Sequence, residues 1–204
     1  MNLLSLDILA CPIDKHFPLK LYIFSFDTKS EEMEQNFSLY QKRRTNFINN
    51  EKIIKYSERN GDLFLKDNII NKESLVDVYL KHILSKIALL ENVNNKASNN
   101  TINKCIEKII SEVKNNISEF SLNPKNSKIE EILPDLYLIN KFFSDVKIET
   151  GVLLCQKCNR WFPIYEAIPH LLPDTQRDLK KEVARFRYYA YEFNQFLEEN
   201  NFTI

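Results

Sequence analysis

Along the chain the spacing of hydrophobic positions changes twice, and the changes divide it into three parts. Residues 1–10 carry leucine or isoleucine at 3, 4, 6, 8 and 9, which predicts a short amphipathic turn or helix ended by Pro12. Residues 19–26 form an apolar, β-branched and aromatic run of strand length. From residue 27 to about 145, charged and amide residues dominate and a helical period takes over. Leu75, Val78, Tyr79, His82 and Ile83 share one helical face, which Leu89 and Leu90 continue. The cleanest stripe is Ile102, Cys105, Ile106, Ile109, Ile110, Val113, Ile117 and Phe120, and a third helix is expected over residues 129–143. Asn60-Gly61-Asp62 suits either a hairpin or a helix break, whereas residues 92–100 and 122–126 read as loops.

Strand character returns at residues 146–148, continues through 152–155 and recurs at 161–164, followed by an apolar loop over 168–173. Leu179, Val183, Phe186, Ala190, Phe193 and Leu197 then step in a heptad-like stripe that predicts an amphipathic terminal helix. The expected fold is α+β: a small zinc-ribbon-like β knuckle built from residues 1–26 and 146–174, a mainly helical insert over 27–145, and a C-terminal helix over 175–204.

Composition narrows the function. Lys+Arg and Asp+Glu both number 28 in a chain of 204 residues, so no global basic field attracts nucleic acid. No window approaches the apolar length of a membrane helix, and the first residues lack the pattern of a signal peptide, so a soluble, cytoplasmic protein is expected. With only two glycines, Gly61 and Gly151, there is neither a phosphate loop nor a dinucleotide fingerprint. No nucleophile elbow or metalloprotease helix occurs either, and the sequence nominates no catalytic residue.

Four cysteines in a reducing compartment argue for metal or free thiols rather than disulfides. Cys155-x2-Cys158 is a turn that directs two sulfurs to one point, where Zn²⁺ accepts them. The first half offers Cys11 and His16, with Asp14 at the C-x2 spacing as the alternative to His16. The same residues also suit a knuckle of reduced thiols without metal. Cys105, in the middle of the strongest apolar stripe, is expected in the core. A thioredoxin-type role for Cys155 and Cys158 lacks the βαβ setting it needs.

Taken jointly, Leu6-Asp7-Ile8-Leu9-Ala10-Cys11-Pro12 with Phe17-Pro18-Leu19, and the closing run from Gly151 through Cys155, Cys158, Trp161-Phe162-Pro163-Ile164 to Ile168-Pro169-His170-Leu171-Leu172-Pro173, resemble the tRNA methyltransferase subunit 112 family. The resemblance covers about the first 26 residues and roughly 147–174. It implies a non-catalytic activator that binds, as a heterodimer, class I S-adenosylmethionine-dependent methyltransferases modifying tRNA, rRNA or translation release factors. RNA or release factor would then be met only through the partner. In the family a knuckle strand pairs with the partner's sheet edge, which here nominates Trp161, Phe162, Ile164, Ile168, Leu171 and Leu172 as the apolar interface. The chain departs from the family in having Cys11 followed by Asp14 or His16 where zinc-bearing members have two cysteines, and Ala167 where a glycine is usual. The alternative function is a zinc-ribbon nucleic-acid-binding module, for which Lys180, Lys181, Arg185 and Arg187 beside Tyr188, Tyr189 and Tyr191 offer a local basic face.

Overall fold

The structure is a computed structural model and describes residues 1–43, 45, 53–124 and 127–202. Its α+β chain forms two compact units: Met1–Asp27, Asn92–Ser98 and the residues from Lys147 onward make one, and Thr28–Glu91 with Asn99–Val146 makes the other. No helix of the described residues is long and apolar enough to cross a membrane. Lys125 and Asn126, two of the five residues of the loop expected over 122–126, lie outside the described residues.

The first unit is built on a five-stranded sheet. With strands numbered along the chain, β1 is Lys20–Phe26, β5 Val93–Asn95, β6 Ile148–Cys155, β7 Arg160–Tyr165 and β8 Ile168–Pro169. Their order in the sheet is β5-β1-β6-β7-β8. Both ends of the chain therefore meet in the centre of one sheet, where β1 and β6 run antiparallel with Tyr22 opposite Val152 and Ile23 opposite Gly151. Glycine is required at 151 because a Cβ there would lie 2.4 Å from the Tyr22 carbonyl oxygen.

Residues 92–100, expected as a loop, instead supply β5, which pairs parallel to β1 with Leu21 opposite Val93. A three-residue edge strand is held by the main chain, as in the hydrogen bond from Lys96 N to Ile23 O at 2.9 Å, so its amide-rich sequence carried no strand signal.

The C-terminal residues also belong to this unit rather than standing apart. Asp178 caps α6 (Leu179–Arg185), its carboxylate accepting from Lys181 N, and a 3₁₀ turn over Phe186–Tyr189 leads into α7 (Ala190–Glu199). The turn breaks the single helix expected and rotates its apolar stripe. Leu179 is 52% exposed, while Phe186, Phe193 and Phe196 are buried. These three rings cover one sheet face, formed by the alternate residues Tyr22 and Phe24 of β1, Val152 and Leu154 of β6 and Trp161 of β7. Tyr22 meets Phe196 edge-on at 4.8 Å, Trp161 meets Phe193 at 5.6 Å, and Phe186 stacks on Phe193 at 4.4 Å. On the other face Leu21, Ile23, Leu153, Phe162 and Ile164 are buried as well. A sheet with two apolar faces needs a layer on each, and the terminal helices supply one of them.

The second unit contains α1 (Ser30–Gln41), a three-stranded sheet of β2 (Lys55–Arg59), β3 (Asp62–Lys66) and β4 (Ser74–Leu75), then α2 (Val76–Leu90), α3 (Asn100–Lys108), α4 (Lys114–Leu122) and α5 (Leu133–Asp145). Asn60 and Gly61 both take positive φ, 55° and 80°, and close a β2–β3 hairpin, which settles the ambiguity at that turn. The buried face of α2 is Val76, Tyr79, Leu80, Ile83, Ile87 and Leu90; Leu75 and Val78, placed on it by periodicity, are exposed. Packing against β3 and α4 selects that face. Between α3 and α4, the buried positions Cys105, Ile109, Val113 and Ile117 step by four, more than the 3.6 residues of an α-turn. A π-turn at Ile109–Val113 absorbs the excess and keeps the stripe facing inward.

Candidate metal centre and partner edge

Two turns of the first unit face each other with the same construction. In residues 155–159, the Cys155 thiol accepts hydrogen bonds from the backbone N–H groups of Lys157 and Cys158, and Asn159 then takes a left-handed φ of 53°. In residues 11–15, the Cys11 thiol accepts from the N–H groups of Ile13 and Asp14, and Lys15 follows with φ of 57°. Position for position, Asp14 stands where Cys158 stands. Each turn thus presents a donor at its first and fourth residues, with backbone N–H groups already directed at the first sulfur.

The four donors converge. Ligand atoms of Cys11, Asp14, Cys155 and Cys158 all lie within 4.8 Å of one another. Cys11 Sγ is 3.6 Å from Cys158 Sγ, and the Asp14 carboxylate oxygens lie 3.5 and 3.6 Å from Cys155 Sγ. A tetrahedral Zn²⁺ with bonds of about 2.3 Å to sulfur and about 2.0–2.2 Å to oxygen sets S···S edges of about 3.8 Å and S···O edges of about 3.5–3.7 Å. Three thiols and one carboxylate therefore fit a single such ion in number, chemistry and spacing. No disulfide competes, since all four cysteines of the chain are free.

Charge in the cluster is arranged unevenly. The backbone N–H of His16, 3.0 Å from Asp14 Oδ1, is the main reason that the Asp14 carboxyl falls to about 2. Burial pushes the Cys11 thiol up to about 12 and raises Cys155 as well. Burial also opposes ionisation of Cys158, but hydrogen bonds from Arg160 and from its neighbouring thiols outweigh it and hold that thiol below its ordinary value. A divalent ion held by this group would displace the remaining thiol protons.

His16, nominated as the fourth ligand, is not in the cluster. Its backbone does the work instead: its N–H holds Asp14 and its carbonyl accepts from Cys11 N at 3.0 Å. Arg160, which the sequence reading passed over, lies beside Cys158 and pairs with Asp174 at 2.8 Å. Cys105 belongs to the second unit, where it is fully buried with its thiol pushed up to about 12 by burial.

The six apolar residues nominated for a partner divide into two sets. Trp161, Phe162 and Ile164 are buried and belong to the core, whereas Ile168 is 55% exposed, Leu172 is 37% exposed and Leu171 is half-buried. The exposed set follows β7 directly. Glu166 and Ala167, with φ of 51° and 60°, form a tight two-residue turn into β8, which pairs with the end of β7 and is the outermost strand on that side. Ala167 thus occupies a left-handed position that favours glycine. His170 stacks on Tyr165 at 3.9 Å and donates its backbone N–H to Pro163 O, which carries the chain along the sheet edge.

A family model described as Trm112p-like protein matches residues 2–166, including both knuckle turns and the whole insert between them. The helices α6 and α7 lie beyond the matched residues. No curated protein matches the chain.

Proposed function

The chain belongs to the Trm112p-like protein family, and on that premise we propose that it is a non-catalytic subunit that binds, stabilises and activates S-adenosylmethionine-dependent methyltransferases acting on tRNA, rRNA or translation release factor. The observation that carries this reading is the outer edge of β8. Among the described residues no strand pairs with it, and Ile168 and Leu172 leave apolar surface beside it. A partner that packs there buries these side chains for affinity and meets the Pro169 carbonyl, while the edge offers it no main-chain donor, since Pro169 has no N–H and the His170 N–H already bonds Pro163 O. Binding of the folded partner then stabilises it by ordinary linkage. Zn²⁺, held by Cys11, Asp14, Cys155 and Cys158, would tie the two turns together as scaffold and take no part in chemistry.

Co-expression with methyltransferases of the same organism tests the proposal. A complex on gel filtration, with a gain in solubility or activity of the partner, is expected. Ile168→Asp with Leu172→Asp should abolish the complex and leave the melting temperature of the free chain unchanged, since both side chains are exposed. Absence of a complex with every candidate would refute the reading.

A further inference from the structure

The terminal helices bury one face against the sheet and turn the other outward, and the outward face has its own chemistry. From Arg177 to Tyr191 cations outnumber acids five to two in a chain that is neutral overall. Glu182 is consumed by Arg177 in a buried ion pair at 2.6 Å, and Asp178 pairs with Lys181 at 3.0 Å. Lys180 and Arg187 are left as exposed cations on α6 and the 3₁₀ turn. Tyr188 and Tyr191, next in sequence, are exposed by 78% and 72%.

Both rings are held in place. The Arg187 guanidinium lies 4.6 Å over the Tyr188 ring and donates to its hydroxyl at 2.9 Å, and Gln195 Nε2 donates to the Tyr191 hydroxyl at 2.9 Å. Arg185 instead turns to the sheet, over the ring of Tyr165 in β7 at 4.1 Å. Exposed aromatic faces fixed beside cations are what successive unstacked bases and their phosphates require. An anionic membrane would need the apolar face of the helix, and that face is already spent on the sheet. A merely acidic protein surface would use the cations and leave the two rings idle.

We propose that the outward face of α6, the 3₁₀ turn and α7 binds single-stranded RNA, with Lys180 and Arg187 on phosphates and Tyr188 and Tyr191 stacking on bases. The preference for RNA over DNA rests on the function proposed above; binding by the chain alone does not, so it is measurable whether or not any methyltransferase partner is found. The experiment is fluorescence anisotropy of a labelled oligouridylate of about 12 nucleotides, within the span of a small single-strand site, titrated with the full chain at several salt concentrations. About two phosphate contacts predict that log Kd rises with log salt at a slope of about 1.4. Lys180→Ala with Arg187→Ala should lower that slope by about 1.4. Tyr188→Ala with Tyr191→Ala should weaken binding about tenfold or more and leave the slope unaltered. Far-UV circular dichroism and melting temperature confirm that each variant is folded, and Lys55→Ala with Lys81→Ala, exposed cations of the other unit, should leave binding unchanged. Four results would overturn the proposal: no salt-dependent binding, equal loss in the Lys55/Lys81 variant, tighter binding of the equivalent DNA, or binding of phosphatidylserine vesicles or polyglutamate that matches RNA.

Discussion

Zinc loading distinguishes Asp14 from His16 as the fourth donor, because the two lie close in sequence and only one reaches the thiols. Asp14→Ala removes an oxygen that sits 3.5 Å from Cys155 Sγ, the edge length that a tetrahedral ion sets, and leaves three sulfurs with an open position. Even loss of a group that only orients a ligand weakens metal binding by about 10- to 100-fold, so loss of a ligand is expected to weaken it by at least about 100-fold. His16→Ala keeps the backbone N–H and carbonyl through which His16 acts, and its affinity should stay within a few-fold of the parent. Asp14→Cys completes a four-thiolate set in two equivalent turns and should bind at least as tightly as the parent. Affinity is measured by competition with a chromogenic chelator. Co²⁺ substitution reports the ligands directly, the sulfur-to-metal charge-transfer absorption rising by about a third from three thiolates to four. Normal zinc affinity in Asp14→Ala together with its loss in His16→Ala would refute the assignment.

Three further outcomes follow from the geometry. Ala167→Gly relieves an alanine held at φ 60°; the left-handed penalty of about 1–2 kcal/mol outweighs the greater chain entropy of glycine, about 0.5–1 kcal/mol. A net gain of about 0.5–1 kcal/mol should raise the melting temperature of the unit by about 2–8 °C, and a lower melting temperature would contradict it. Arg177→Ala strands the buried Glu182 carboxylate and removes a cation stacked over Trp161 at 4.8 Å. Urea unfolding should show a loss of about 3–5 kcal/mol, while Arg177→Met with Glu182→Leu recovers most of it. Asp67 is raised above its ordinary 3.8 by burial, against hydrogen bonds from Tyr79 and from the Ile69 and Ile70 N–H groups. The folded state therefore holds this proton where the unfolded chain releases it, so stability is full below about pH 4 and falls as pH rises through the folded value. Chemical unfolding across that range should show the decline in the parent and a flatter profile in Asp67→Asn.

Much of this protein is determined locally. The strand runs at residues 19–26 and 152–155, the π-adjusted stripe from Ile102 to Phe120 and the C-x2-C spacing are set by side-chain periodicity and by the short reach of a turn, which involve only neighbours in sequence. The hairpin at Asn60-Gly61 was half visible for the same reason, since the dipeptide accepts left-handed backbone but does not demand it. Other features were decided only when distant segments met. His16 is the first choice of fourth donor in the linear chain, with Asp14 as the alternative, yet it is Asp14 that lies among the thiols, because its turn repeats the Cys155–Cys158 turn and brings it opposite them. β5 exists because β1 has an open edge, and no side-chain pattern in its own three residues announces that. Trp161 is interior because the terminal helices cover its sheet face, Phe162 and Ile164 are buried on the opposite face, and Ile168 and Leu172 are exterior because the β8 edge stays open. Hydrophobicity marks what must be covered, and only the tertiary arrangement assigns each apolar group either to the chain's own core or to a surface left for another molecule.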